Sequence, residues 1–352
     1  MRKVILFVLV FIMLIGSISP VSAITIEGGD IRLGINGYIS GLYIYMGKMP
    51  MATGDQMPDI STFENDTHLL FNAVKERLRI NVNVHWDNSA SSDSSETVGE
   101  FGITETFGEY AFSEQIQLKA GYFLTPFGIY NEISYVTPLF SSVVLPMMYE
   151  PPKNYSGTPL VPESANVMFF GKYSAAAAIV NYYFYGGNGE LAPEGVDKNK
   201  DKGFGGRIKI KLPYGLRIGG SYYSNRDNPG TDGREKLLGA DMEVTISDLT
   251  IEAELALDDA EKAKDRFAYY AKLIYSASKF APFVGYDYFK DKGDPLFGRG
   301  LNRYSICSSY TANNYVTLKA EYHYHLVDDT QGLATGLPED LQMFLAAAIF
   351  IF

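Results

Sequence analysis

Strictly alternating polar and apolar residues constrain the fold of this 352-residue chain more than any other feature. In Arg77–Trp86, RLRINVNVHW, every even position is apolar and every odd position is polar. Side chains along a β-strand point alternately to opposite faces, so this segment predicts a strand with one apolar face and one polar face. The apolar face of such a strand either packs in the core of a soluble sandwich or contacts lipid.

The same alternation recurs along most of the chain in segments of about 9–12 residues, the length of a strand that crosses a bilayer core at a tilt of about 45°. Strands of soluble proteins average about 5–6 residues. After the first 23 residues the sequence has no apolar run long enough for a membrane helix. The alternating segments include 204–212, 216–223, 238–246, 249–257, 266–275 and 316–326.

Short and long polar connections take turns between these segments. Pro213–Gly215 and Ser247–Asp248 are short, whereas 187–202 and 327–339 are long. Outer-membrane barrels show this alternation, and a closed sheet pairs every backbone polar group within lipid. We therefore predict an all-β protein, a transmembrane antiparallel β-barrel of sixteen strands with both termini in the periplasm. Fourteen strands is the alternative count, a secreted soluble β protein is the alternative fold, and the pattern leaves the register between residues 47 and 112 open.

The first residues have the three parts of a secretory signal peptide. Arg2 and Lys3 precede the apolar run Val4–Ile15, and Val21–Ala23 resembles a cleavage site. We expect cleavage after Ala23, which leaves 24–352 as a single barrel domain; a retained anchor helix is the alternative. Loss of Arg2 and Lys3 takes the formal net charge from −11 to −13. Such an acidic chain lacks the basic stripe that binds nucleic acid.

Cysteine and histidine are too scarce to predict a metal site or a cofactor. The chain has one cysteine, Cys307, and four histidines, so an intramolecular disulfide is excluded and a structural zinc site is not expected. His323 and His325 share one strand face, but the sequence shows no third ligand and no serine partner for them. We therefore predict no catalytic residues.

The polar faces of the strands are expected to line a water-filled lumen. A charged side chain facing lipid costs about 2–4 kcal/mol at mid-depth, so these residues must point inward. Rows of unlike charge on such a wall would filter ions by their field, although the same charges could merely solvate the lumen and neutralise one another. The pore-wall candidates are Arg77, Arg79, His85, Arg207, Lys209, Lys211, Arg217, Asp241, Glu243, Glu252, Glu254, Lys319 and Glu321.

One connection, 124–165, is much longer than the others. It contains seven prolines, too many for a membrane strand, and it is fairly apolar. A long apolar connection in a compact domain is usually functional, and the barrel interior is the natural place to bury it. We predict that it folds inward and narrows the lumen; an extracellular cap or a trimer contact is the alternative. Its constriction candidates are Asn131, Glu132, Glu150 and Lys153.

The segment Gly108–Glu132 contains G-x-F-x-x-P-F-G at Gly121–Gly128 and resembles the strand–turn–strand of outer-membrane porins, with the phosphate-selective porin O and P family and related trimeric porins as the nearest pattern. Terminal Phe352, with Phe350 and Phe344 at even spacings, is similar to the C-terminal signature of bacterial outer-membrane barrels. The resemblance implies a homotrimer of sixteen-stranded barrels with an inward third loop. Phosphate-selective members line the pore with many Arg and Lys, and this acidic chain departs from that pattern.

These expectations together describe an outer-membrane porin of the Gram-negative type that lets small hydrophilic solutes or ions diffuse passively, and not an enzyme. A substrate-specific channel for phosphate, another anion or a sugar is the nearest alternative. A barrel enzyme with a Ser–His arrangement, or a structural or adhesive barrel with a plugged lumen, is the alternative from another class. Membrane lipid and the permeant are the expected partners.

Overall fold

The computed structural model describes residues 24–28, 30–47, 49–50, 56–57, 59–88, 99–151, 159–162, 164–175, 177–188, 201–225, 234–260, 265–292, 300–328 and 340–352. The expected signal segment and Lys153 lie outside these residues. No helix within the described ranges is long and apolar enough to cross a membrane. The strands are β1 (Ile24–Gly28), β2 (Ile31–Met46), β3 (Met49–Pro50), β4 (Gln56–Met57), β5 (Ile60–Lys75), β6 (Leu78–Asp87), β7 (Glu100–Ala111), β8 (Gln117–Leu124), β9 (Ser164–Ala175), β10 (Ala178–Gly187), β11 (Gly203–Lys211), β12 (Leu216–Asn225), β13 (Glu235–Ile246), β14 (Leu249–Ala260), β15 (Arg266–Tyr275), β16 (Phe280–Asp291), β17 (Leu301–Asn313), β18 (Val316–Val327) and β19 (Asp340–Ile351).

Sixteen of the described strands, β2 and β5 to β19, pair antiparallel in chain order and close on themselves where β19 meets β2. The predicted sixteen-stranded barrel is therefore confirmed. The short β1 and the long β19 pair with the same edge of β2. β1 pairs with the beginning of β2 and β19 pairs with the rest of it. Gly37 and Phe352 exchange backbone hydrogen bonds of 2.9 and 3.0 Å between these two pairings. Closure thus leaves no unpaired strand edge at the seam.

The short turns that the structure describes join successive strands at one end of the barrel. Glu76 and Arg77 form the turn between β5 and β6, so β6 begins at Leu78, one residue later than the alternation indicated. Arg77 donates from Nη1 to the carbonyl of Phe112 in the neighbouring turn, at 2.9 Å. The structure therefore places Arg77 at the rim formed by the short turns.

The strands present an apolar face outward and a polar face inward, as period-2 alternation requires. On β13, Leu238 and Met242 are exposed on the outer face, whereas Asp241 lies on the inner one. On β14, Leu255 is exposed outward and Glu254 is buried inward. Lipid covers the outer residues in a membrane, so their exposure is what a spanning barrel needs.

The segment 125–151, together with 159–162, lies inside the barrel; it is called the inner loop below. Two short 3₁₀ turns, Asn131–Ile133 and Thr137–Leu139, give it local structure. Its Phe127 is fully buried against the wall, where a Cβ on Gly239 would lie 2.6 Å from the Phe127 ring. The apolar core of the protein is formed by the inner loop and the wall, and includes Phe127, Tyr130, Phe140, Met147, Met148, Leu160, Ala256, Ala268, Tyr270 and Phe289.

Candidate functional site

Two acidic wall residues of β14 hold the first part of the inner loop. Glu252 accepts a hydrogen bond from the hydroxyl of Tyr130. Glu254 accepts from the backbone N–H of Ile129 at 3.2 Å and from the Tyr149 hydroxyl at 2.6 Å. Burial, with the adjacent carboxylates as a further cause, raises the pKa of Tyr130 and of Tyr149 well above its ordinary value, so both hydroxyls remain donors. These two carboxylates are therefore occupied by the inner loop.

Lys319 and Glu321 of β18 hold the middle of the inner loop. Lys319 donates from Nζ to the carbonyls of Thr137, Phe140 and Ser142 at 2.7, 2.8 and 3.0 Å. Glu321 accepts from the backbone N–H of Val143 and, at 3.3 Å, from that of Val144. Charged partners make these hydrogen bonds stronger than neutral ones.

An ion pair that the alternation did not single out holds the next part. Asp287 of β16 and Arg303 of β17 are directly paired residues of the sheet, and their side chains meet at 3.0 Å. Asp287 also accepts from the N–H of Met147 at 3.2 Å, and Arg303 donates to the carbonyl of Leu145 at 2.7 Å. Both side chains are buried, and the inner loop supplies a further hydrogen-bond partner to each of them.

The basic wall candidates lie beside acidic ones instead of facing them across the lumen. Arg207 contacts Asp241 at 2.9 Å, and it also donates to Ser221 at 2.9 Å. Two further basic candidates lie beside acidic residues: Arg217 pairs with Glu243, and Arg79 lies 3.7 Å from Glu109. Lys209 is half-buried on the same inner face of β11, and Lys211 is exposed near its end.

A cavity of about 480 Å³ lies between the inner loop and wall residues of β2, β5, β6 and β19, and Arg303 of β17 and His325 of β18 also line it. Asn131 and Glu150 line it from the loop, whereas Glu132 lines a second cavity of about 300 Å³ beside β8 to β10. Polar or charged residues that line the first cavity include Ser40, Glu64, Asn65, Asp66, His68, His85, Asp87, Ser134, Tyr135, Arg303 and His325.

The sequence matches the Gram-negative porin family over residues 28–330. The chain belongs to this family. It is an outer-membrane β-barrel that forms a channel for passive diffusion. No curated protein matches the sequence of this porin.

Solved barrels share the fold of this porin at low sequence identity. OmpF of Salmonella typhi in complex with daunomycin has a TM-score of 0.65 and 12% identity, covering 94% of this chain and 100% of that one. The anion-selective porin from Comamonas acidovorans has a TM-score of 0.64 and 8% identity, with coverages of 92% and 100%. OmpT of Vibrio cholerae has a TM-score of 0.60 and 13% identity, with coverages of 94% and 100%. At sequence identities of 8–13%, these structural similarities are evidence for the fold alone.

Asp66, His68 and His85 of this porin form a cluster on the cavity side of β5 and β6 that the sequence did not predict. His68 and His85 are directly paired across the two strands, and their rings stack at 4.5 Å. Asp66 Oδ1 lies 3.2 Å from His68 Nε2 and 3.0 Å from His85 Nε2. A two-residue turn at Glu76–Arg77 sets this pairing, so the signal was present in the sequence but required the turn to be placed correctly.

A serine partner for His323 is present in the fold, although the sequence did not indicate one. Ser305 Oγ lies 2.8 Å from His323 Nδ1, and His323 Nε2 lies 3.0 Å from Glu321. All three side chains are buried, and Glu321 also accepts from two inner-loop N–H groups. None of the three lines either cavity described above, so a substrate has no route to the serine through them. In this porin the arrangement supports the inner loop.

Proposed function

We propose that the inner loop is the constriction of this porin, and that solutes pass between it and the wall of β2, β5, β6 and β19. The supporting observation is the asymmetric placement of the loop. Glu252 and Glu254 of β14 and Lys319 and Glu321 of β18 bond the loop, whereas the cavity of about 480 Å³ lies between the loop and residues of β2, β5, β6 and β19. At the cavity the Tyr38 hydroxyl of β2 also contacts the Tyr135 carbonyl of the loop at 2.5 Å.

We further propose that this pathway prefers small cations to anions. Carboxylates of Glu64, Asp66, Asp87 and Glu150 line the cavity. Of the described residues that line it, Arg303 alone carries a permanent positive charge, and its charge is offset by Asp287 at 3.0 Å. Side chains of one sign along a narrow aqueous path select ions of the opposite sign.

A channel for phosphate or another anion is the alternative, and a specific feature favours it. Lys119 and Lys172 line the second cavity. However, Glu114 and Glu132 line the same cavity, Lys172 lies 3.4 Å from Glu114, and Lys119 lies 3.9 Å from Glu109. The basic groups there are matched by acidic ones, which is why we favour the cation pathway.

We also infer that the protein acts as a homotrimer, and as a channel without a catalytic step. Trimerisation rests on the resemblance of Gly121–Gly128 to trimeric porins. The proposed absence of catalysis is supported by the burial of Ser305 and His323. Cross-linking of the purified barrel tests the first inference.

Cysteine accessibility tests the pathway with two serines of the inner loop. Ser134 lines the cavity, and Ser142 is 1% exposed. In a Cys307→Ser background, a charged methanethiosulfonate reagent is expected to modify Ser134→Cys rapidly and to lower the conductance of single channels. Ser142→Cys is the matched control and should not react. Equal reaction rates at both positions, or modification of Ser134→Cys with no change in conductance, would contradict the proposed path.

A further inference from the structure

We propose that Asp66, His68 and His85 form a binding site for a divalent transition-metal ion of the zinc class. Two imidazole nitrogens and one carboxylate oxygen converge from neighbouring strands β5 and β6. Imidazole and carboxylate are the ligand types that zinc takes in sites with three protein ligands. Within the part of the chain that the structure describes, the three ligand atoms lie within 4.8 Å of one another.

The two separations between Asp66 Oδ1 and the histidine nitrogens suit a tetrahedral ion. Ligands at about 2.0 Å from zinc in a tetrahedron are about 3.3 Å from one another. Asp66 Oδ1 lies 3.2 and 3.0 Å from the two Nε2 atoms. The same oxygen is buried and accepts no well-aligned hydrogen bond, although both nitrogens are near it. An ion between the three atoms would satisfy that oxygen, and binding would require the stacked His68 and His85 rings, inclined by 26°, to turn their Nε2 atoms towards it.

Neighbouring groups hold the ligands in the required state. Asn83 Oδ1 lies 3.0 Å from His68 Nδ1 and can accept a hydrogen bond from an Nδ1–H group. In that tautomer the lone pair of the His68 ring is on Nε2, the atom that faces Asp66. The Tyr38 hydroxyl lies 2.9 Å from Asp66 Oδ2 and 2.5 Å from the carbonyl oxygen of Tyr135, and the Tyr38 ring stacks on the His68 ring at 5.0 Å. Partners of this kind orient the ligands of known metal sites and raise their affinity.

The site is accessible to an ion from the lumen. The side chains of Asp66 and His85 are 33% and 22% exposed, and both residues line the cavity of about 480 Å³ together with His68. Water can therefore occupy a fourth position, as in open zinc sites. Tyr135 of the inner loop faces the cluster, with ring centroids 6.1 Å from His68. A bound ion would thus lie in the proposed pathway, and this part of the inference rests on the proposed function.

Cys307, Glu321 and His323 form a second cluster of possible metal ligands, but this cluster is not accessible from either cavity. All three side chains are buried, and both oxygens of Glu321 are engaged by N–H groups of the inner loop. None of the three lines either cavity described above. His323 therefore serves as the histidine-matched control for His68 and His85.

Isothermal titration calorimetry of the refolded, detergent-solubilised barrel with zinc chloride tests the site. We expect one zinc ion to bind per chain, and His68→Gln and His85→Gln each to weaken binding at least about tenfold, as the loss of even an orienting partner does. Asn83→Ala, which keeps all three ligands, should weaken it about 10–100-fold. His323→Gln should bind zinc like the wild type. No binding by the wild type, or equal affinity in the His68→Gln and His323→Gln variants, would overturn the proposal.

Channel recording locates the ion relative to the pathway. Zinc is expected to lower the single-channel conductance of the wild type reversibly, and to leave His85→Gln unaffected at the same concentration. Zinc that binds in calorimetry but leaves the wild-type conductance unchanged would overturn the placement of the site in the pathway. A barrel that binds zinc but never opens in a bilayer would contradict the proposed function and leave the calorimetric result standing, so the two failures are distinguishable.

Discussion

The hydroxyl of Tyr149 donates a 2.6 Å hydrogen bond to the buried carboxylate of Glu254, which joins the end of the inner loop to the middle of β14. The two residues are 105 positions apart in the chain. The contact shows how the loop is held, because the wall supplies buried charges and the loop supplies the donors and acceptors that satisfy them.

Removing that hydroxyl should loosen the loop. Tyr149→Phe leaves Glu254 without its closest donor, which we expect to destabilise the barrel by about 1–3 kcal/mol. Denaturant unfolding in detergent measures the change, and hydrogen exchange at Ile129 locates it. Tyr173→Phe, on an outward-facing residue that is 59% exposed, is the control and should change neither. Equal effects of the two variants would contradict the anchoring role.

Lys319→Met should release the middle of the inner loop. The substitution removes three hydrogen bonds to loop carbonyls and leaves Glu321 without its cationic neighbour, and breaking a buried charged set costs about 3–5 kcal/mol. We expect larger and noisier single-channel currents. Lys279→Met is the control, because Lys279 makes an exposed hydrogen bond to the carbonyl of Ala312 near the end of β17. Unchanged currents from Lys319→Met would show that this anchor does not shape the pore.

Barrel closure should depend on Gly37. A Cβ at this position would collide with the carbonyl oxygen of His68 and would crowd the Phe352 ring, whereas a Cβ on Gly41 meets nothing within 4 Å. Gly37→Ala should therefore reduce the yield of folded barrel, read as the heat-modifiable band on a gel, and Gly41→Ala should not. Equal yields would mean that the seam between β2 and the C-terminus tolerates the extra carbon.

Ser305 should be unreactive towards a fluorophosphonate probe. The serine is 8% exposed, so the probe cannot reach Oγ despite the neighbouring His323. Labelling of the wild type should match that of Ser305→Ala. Labelling that disappears in Ser305→Ala would indicate a reactive serine and would reopen the reading of this barrel as an enzyme.

Alternation predicted which residues point inward, but not what they contact. Asp241, Glu252 and Glu254 lie on the inner faces of their strands because the period of a strand is two, and this is readable from sequence. The partners of Glu252 and Glu254 lie in the inner loop, which has no period. Only the folded chain shows that these charges anchor the loop and do not form a free acidic row.

The position of the turn between β5 and β6 explains where the structure differs from the sequence prediction in this region. The alternation is unbroken from Arg77 into β6, so the sequence predicts a strand that starts at Arg77. In the structure Glu76 has a positive φ of 51° and, with Arg77, forms the turn. A shift of this size alters cross-strand pairing, which is why the contact between His68 and His85 was missed. The sequence predicts an inward course for the connection after β8, because a long apolar, proline-rich segment must be buried somewhere other than in the sheet.

The reversal potential of single channels in a KCl gradient tests the central claim most directly. Purified barrels in a planar bilayer should show stable open steps, and their reversal potential should have the sign of a cation-preferring pathway, because carboxylates of Glu64, Asp66, Asp87 and Glu150 line the cavity beside the inner loop. A reversal potential of the opposite sign, or folded barrels that never open, would contradict this account.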